Sequence, residues 1–132
     1  MRQYLLLQGY CLLIVNFSGS IGYGGSFLNS LTGNIGVLDV EDCGDLTQLA
    51  LEKFSSVIDP KKIAAYGGSH GGFLSAWLVG HLKYKHLWAT AVVRNPVLDM
   101  NYMRSATDIP DWIEAYVLNR SIDLSKLSSE DV

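Results

Sequence analysis

Between the apolar run KIAAYG at 62–67 and the helical pattern HGGFLSAWLVGHL at 70–82, the chain leaves almost no residues in which to turn. The bend has to be Gly67-Gly68-Ser69-His70-Gly71, a G-x-S-x-G pattern at a strand-to-helix junction. A strand that runs straight into a helix is the start of a crossover, and crossovers of this kind build parallel sheets with helices packed back on them.

The rest of the chain repeats that alternation. Residues 10–17, YCLLIVNF, form a short apolar run bounded by Gly9 and the turn-rich SGSIGYGGS, and predict a strand buried on both faces. Residues 35–54 place Val37, Val40, Leu46, Leu49, Ala50 and Phe54 at helical spacing, with Asp39, Glu41 and Asp42 in the first turns, where the helix dipole favours negative charge. Asp59-Pro60 marks a turn before the strand at 62–67. In the helix at 70–82, Phe73, Ala76, Trp77 and Leu78 are available for packing. WATAVVR at 88–94 predicts a third strand, stopped by Asn95-Pro96. Beyond 97 the pattern weakens to a short helix near 112–118 and a polar end, SIDLSKLSSEDV. The fold class is α/β, a parallel sheet with covering helices, in one domain without internal repeats.

Composition narrows the functions such a domain can have. With 48% hydrophobic and 17% charged residues, the chain can build a packed core, and the composition argues against disorder. A net charge of −3 gives no basic footprint for nucleic acid or an anionic membrane. The most apolar stretch, residues 1–17, is broken by Arg2, Gln3, Gln8, Gly9 and Asn16. It falls short of the roughly 20 apolar residues of a membrane span and lacks a small-residue cleavage site, so it reads as a helix end followed by a core strand. Two cysteines, Cys11 and Cys43, in apolar or helical contexts fit a reducing, cytoplasmic compartment. The sequons at Asn16 and Asn119 carry little meaning without a secretory route.

At the bend, the G-x-S-x-G pattern predicts a nucleophile elbow. Ser69 is held at the tip of a strained turn above the end of its strand. Gly67 and Gly71 keep side chains from colliding where strand and helix approach. The backbone N–H of His70 then points to where an oxyanion would form. A phosphate loop would need a lysine after the glycines, and a dinucleotide fingerprint would need G-x-G-x-x-G; neither is present. A tight glycine turn carrying an incidental serine is the remaining alternative. The imidazole of His70 is the wrong base for Ser69, because adjacent side chains at an elbow point apart.

GGSHGGF, the upstream NFSGSIGYGGS and the downstream RNPVLDMNYMRSATDIPDW together resemble the prolyl oligopeptidase family of serine peptidases, and within it the acylaminoacyl-peptidase branch. The similarity runs from about Tyr10 to Asn119. It implies a partial α/β-hydrolase fold, truncated at both ends, that spans residues 1–132. It also implies a short peptide substrate, N-acylated in the parent enzyme, and no metal or organic cofactor. Ser69 matches the family's nucleophile and the His70 amide one oxyanion donor. Trp112 lies in the segment that lines the substrate pocket in relatives, and Arg94 at a strand end facing it; plain packing is the alternative for both. Ser18 departs from the pattern, because relatives carry arginine in this loop, so an anchoring ion pair is expected to be absent or replaced.

The triad order in this fold is Ser, Asp, His, with the last two well beyond the segment matching Trp112. His81 and His86 follow the elbow too closely, and Asp99, Asp108, Asp111 and Asp123 do not sit in the acid motif. The triad Asp and His are therefore expected to be absent, along with a strand that should lie between those at 10–17 and 62–67. A fragment is expected, inactive alone because a serine without a general base is a poor nucleophile. Its open strand edges would make self-association a hazard. Another α/β-hydrolase, esterase-like or dipeptidyl-peptidase-like, and a non-catalytic truncated product are the competing readings.

Overall fold

The computed structural model describes residues 1–120. The polar end at 121–132, with Asp123, lies outside them. The chain begins with α1 (Arg2–Leu7), α2 (Gly25–Asn29) and α3 (Leu38–Lys53). Then come β1 (Ala64–Gly68), α4 (His70–Gly80), a 3₁₀ turn at Lys85–Leu87, β2 (Thr90–Arg94), α5 (Met100–Ala106) and a π-helical turn at Ile113–Val117.

β1 and β2 pair in parallel, with Ala64 opposite Thr90 and Gly68 opposite Arg94, and α4 is the crossover between them. The core lies under α4. Phe73, Leu74 and Leu78 pack with Val40, Cys43, Tyr84 and Leu87, and Val15 and Phe17 press against the same cluster.

Tyr84 explains the composition of α3. Its ring is fully buried against Gly44, where a Cβ would come within 2.5–2.6 Å of ring atoms. Its hydroxyl donates to Asp45 Oδ1 at 2.7 Å, and Lys83 Nζ approaches the same oxygen at 2.8 Å.

Three sequence expectations need correction. Residues 10–17 form no strand: Leu13 and Ile14 are exposed while Val15 and Phe17 reach the core. A strand exists only by pairing, and no neighbouring ladder is available to this segment among the described residues.

The buried face of α3 is Val40, Cys43, Gly44 and Thr47, not the stripe containing Leu46, Leu49 and Phe54, which is exposed. Small residues face α4 because Tyr84 must fit between, and this leaves the larger apolar stripe without a partner. On α4, Leu74 takes the inward place expected for Trp77, which remains 47% exposed.

The helix near 112–118 is present as the π-helical turn. The shorter α2 and α5 carry too little periodicity to be read from sequence.

Candidate active site

The bend at Ser69 is the most strained point of the site. Ser69 has φ 56° and ψ −122°, a combination that side-chain-bearing residues rarely adopt and that persists only where the surroundings hold it. Two main-chain bonds do so. The Ser69 N–H donates to the Arg94 carbonyl at 3.0 Å, continuing the β1–β2 ladder by one residue. The Ser69 carbonyl accepts from the Phe73 N–H at 3.0 Å, closing the first turn of α4. One residue is thus committed to strand and helix at once, and its side chain is left exposed at the sheet's C-terminal edge.

The glycines divide their work differently from the expectation. A Cβ on Gly67 would collide with the Gly71 carbonyl, so position 67 must be glycine for α4 to leave β1 so closely. A Cβ on Gly71 would meet nothing within 4 Å, so its own side chain is not what the crowding forbids. The second crowded position is Gly72, where a Cβ would sit 3.0 Å from Pro96. Sequence spacing pointed to Gly71 because the pattern is symmetrical about the serine; the helix turns the next residue toward the β2 exit instead.

Ser69 and His70 open onto a cavity of about 520 Å³. Its walls include Phe17, Leu31, Met100 and Trp112, and among the described residues it holds no carboxylate and no lysine or arginine. Trp112 is therefore brought to the site. The Arg94 side chain is not: it is exposed and does not line the cavity, and only its carbonyl takes part, through Ser69. Ser18 is buried, and its N–H donates to Asp42 Oδ2 at 2.7 Å, so a main-chain bond anchors the loop where relatives were expected to use arginine.

The histidines are turned away from Ser69. The His70 ring faces Asp39, with Nε2 2.9 Å from Oδ2. Asp39 is fully buried at the start of α3, a residue that sequence reading placed only as a dipole-matched first-turn acid. His81 ends α4 and stacks on Tyr84 at 5.0 Å, and His86 lies in the 3₁₀ turn. Asp99 accepts the Tyr102 N–H as the N-cap of α5, Asp108 lies beside the Thr107 hydroxyl, and Asp111 is half-buried just before Trp112.

No histidine of the chain is hydrogen-bonded to the Ser69 hydroxyl, and the chain has three. No cluster of three or more His, Cys, Asp or Glu side chains suited to a metal occurs among the described residues. Nor is any described helix long and apolar enough to cross a membrane.

Comparison with known proteins gives this geometry a context. The model of the prolyl oligopeptidase family matches residues 1–126. The chain is 47% identical over 115 residues to the acylamino-acid-releasing enzyme of Arabidopsis thaliana, covering 86% of this chain and 14% of that one. It is 42% identical over 108 residues to the enzyme of the same name from Sus scrofa, covering 82% and 14%. The chain thus spans about one seventh of the length of these relatives. Among solved structures, a puromycin hydrolase superposes with a TM-score of 0.67 at 29% identity, over 78% of this chain and 15% of the other.

Proposed function

The chain belongs to the prolyl oligopeptidase family, and from that premise we propose that Ser69 is the nucleophile of an acyl-transfer site acting on N-acylated peptides. The observation that carries the reading is the backbone of Ser69, φ 56° and ψ −122° between β1 and α4, which holds an exposed hydroxyl at the mouth of an apolar cavity. In this reading Ser69 Oγ attacks the carbonyl that follows the N-acyl amino acid. The His70 N–H, in the first turn of α4 and so without an intrahelical acceptor, donates to the developing oxyanion. The amine leaves with a proton supplied by a histidine, and water then hydrolyses the ester on Ser69 by the same base. Trp112, Phe17 and Met100 would receive the apolar part of the residue whose carbonyl is attacked.

We also propose that the general base and its carboxylate come from polypeptide outside this segment. The three histidines are engaged elsewhere or distant, and a serine without a base is scarcely nucleophilic near neutral pH. The exposed apolar surface supports the same idea. Tyr66, Val92 and Val93 on the sheet, and Leu46 and Leu49 on α3, stand 40% or more exposed, as on a piece of a larger catalytic unit. Taken alone, such a piece would tend to self-associate through its open strand edges. The cysteines, Cys11 exposed and Cys43 buried, are unpaired, which supports a reducing compartment.

A second enzyme reading rests on the likeness to a puromycin hydrolase, and would replace the N-acyl substrate with another amide. The test uses a fluorophosphonate probe at neutral pH and mass spectrometry of the adduct. The complete enzyme should be labelled on Ser69, and Ser69→Ala should abolish release of N-acetylalanine; the isolated chain should remain essentially unlabelled. Stoichiometric labelling of the isolated chain would show that a base is present after all. Faster turnover of puromycin than of N-acetylalanyl peptides would favour the second reading.

A further inference from the structure

Asp39 is the one carboxylate of the described residues with no solvent exposure, and its hydrogen bonds run to the elbow, to the turn in front of α3 and to the first turn of α3 itself. Oδ1 accepts from the N–H of Gly36 at 2.7 Å and of Val40 at 3.0 Å. Oδ2 is left for His70 Nε2 at 2.9 Å. A buried carboxylate requires donors on both oxygens, so the imidazole must present Nε2–H to it.

The ring is also gripped on its sides. Phe17 and Phe73 flank it, with centroids at 5.8 and 5.5 Å and interplanar angles of 34° and 30°. The turn that delivers Asp39 is fixed in the same cluster: Gly36 has φ +85°, and a Cβ there would lie 3.1 Å from the Phe73 ring.

The residue held this firmly is the one that follows Ser69. Its own N–H is the donor assigned to the oxyanion, and its Cα begins α4. A side chain fixed in place fixes the peptide plane attached to it.

Resting on the reading of Ser69 as nucleophile, we propose that Asp39 is a positioning residue of the site: through His70 Nε2 it locks the imidazole, and through the imidazole it aims the His70 N–H at the oxyanion position. The histidine of the S-H pair is then neither the base nor a bystander. It is a strut between α3 and the elbow, and the apolar clamp of Phe17 and Phe73 excludes the water that would otherwise compete for the Asp39 carboxylate.

The pairing is readable in the chain itself, independently of catalysis, by proton–nitrogen correlation of the histidine rings. The unaltered chain should show His70 protonated at Nε2. In Asp39→Asn, where the amide group faces the ring, His70 should lose its Nε2 proton to Nδ1, and the His70 main-chain amide resonance should shift. An unchanged tautomer with an unmoved amide would overturn the proposal.

In the complete enzyme, Asp39→Asn should lower kcat about tenfold or more with KM within about twofold, because only the transition state uses the donor. His70→Phe keeps a ring between Phe17 and Phe73 but loses the hydrogen bond. It should show the same split, and full kcat in this variant would also overturn the proposal. If Ser69→Ala retained activity, the nucleophile assignment would fail instead, while the ring spectra would still decide whether Asp39 holds His70.

Discussion

The elbow and the first seventeen residues were built from similar material and reached different ends. Residues 10–17 are more apolar than KIAAYG, yet they form no strand, whereas β1 does. The difference lies in partners. β1 has β2 alongside it in register and α4 packed over it, and the ladder bond from Ser69 to Arg94 extends the pairing to the bend at Ser69. The early segment contributes only Val15 and Phe17 to the core and leaves Leu13 and Ile14 at 52% and 54% exposure. Apolar content supplies the drive to be buried, but strand structure belongs to the pair and not to the sequence of either member.

The comparison breaks first at Gly67. Replacing it with alanine sets a methyl against the Gly71 carbonyl, two pieces of backbone that cannot rotate away. Gly67→Ala should cost about 4 kcal/mol or more in denaturant unfolding, in the range of severe backbone strain. A loss under about 1 kcal/mol would mean that β1 and α4 do not meet so closely. Gly71→Ala, with open space around it, serves as the mild companion.

The cysteines sharpen the contrast: Cys11, in the early segment, is exposed, whereas Cys43, on α3, is buried in the core cluster with Phe73, Leu74 and Leu78 of α4. Burial, reinforced by the charges of Asp39 and Asp42, pushes the Cys43 thiol up to about 12. At pH 8.5 a small alkylating reagent should modify Cys11 readily and Cys43 on the order of a thousandfold more slowly. The folded chain keeps the Cys43 proton where the unfolded chain, with a thiol near 9.0, releases it. The contribution to stability is therefore intact below pH 9 and lost as pH rises toward 12. Cys43→Ala should flatten that alkaline slope, and equal alkylation of both thiols would contradict the buried placement.

The smallest effect is expected in the early segment. Leu13→Ser should change stability by no more than about 0.5 kcal/mol in the isolated chain, as at an ordinary exposed position. A loss of about 2 kcal/mol would show that residues 10–17 are buried in solution.

What could be read from the sequence was decided locally. The strand–turn–helix around Ser69 and the parallel return to β2 follow from short-range signals: glycines, an apolar run and a stop at Asn95-Pro96. The inward face of α3 did not follow, because Gly44 and Thr47 look like poor core residues until Tyr84, forty positions later, is seen to need the space. Asp39 was visible only as a first-turn acid; its bond to His70 joins residues thirty-one apart, and no pattern in the chain announces it. The exposed Arg94 side chain and the spare room at Gly71 likewise depended on directions that spacing does not encode.

The central claim is that one residue belongs to strand and helix at once, and its backbone angles test that most directly. Residual dipolar couplings or a crystal structure should place Ser69 near φ 56° and ψ −122°. Angles close to the helical values of about −63° and −42° would put the serine inside α4 and contradict the elbow.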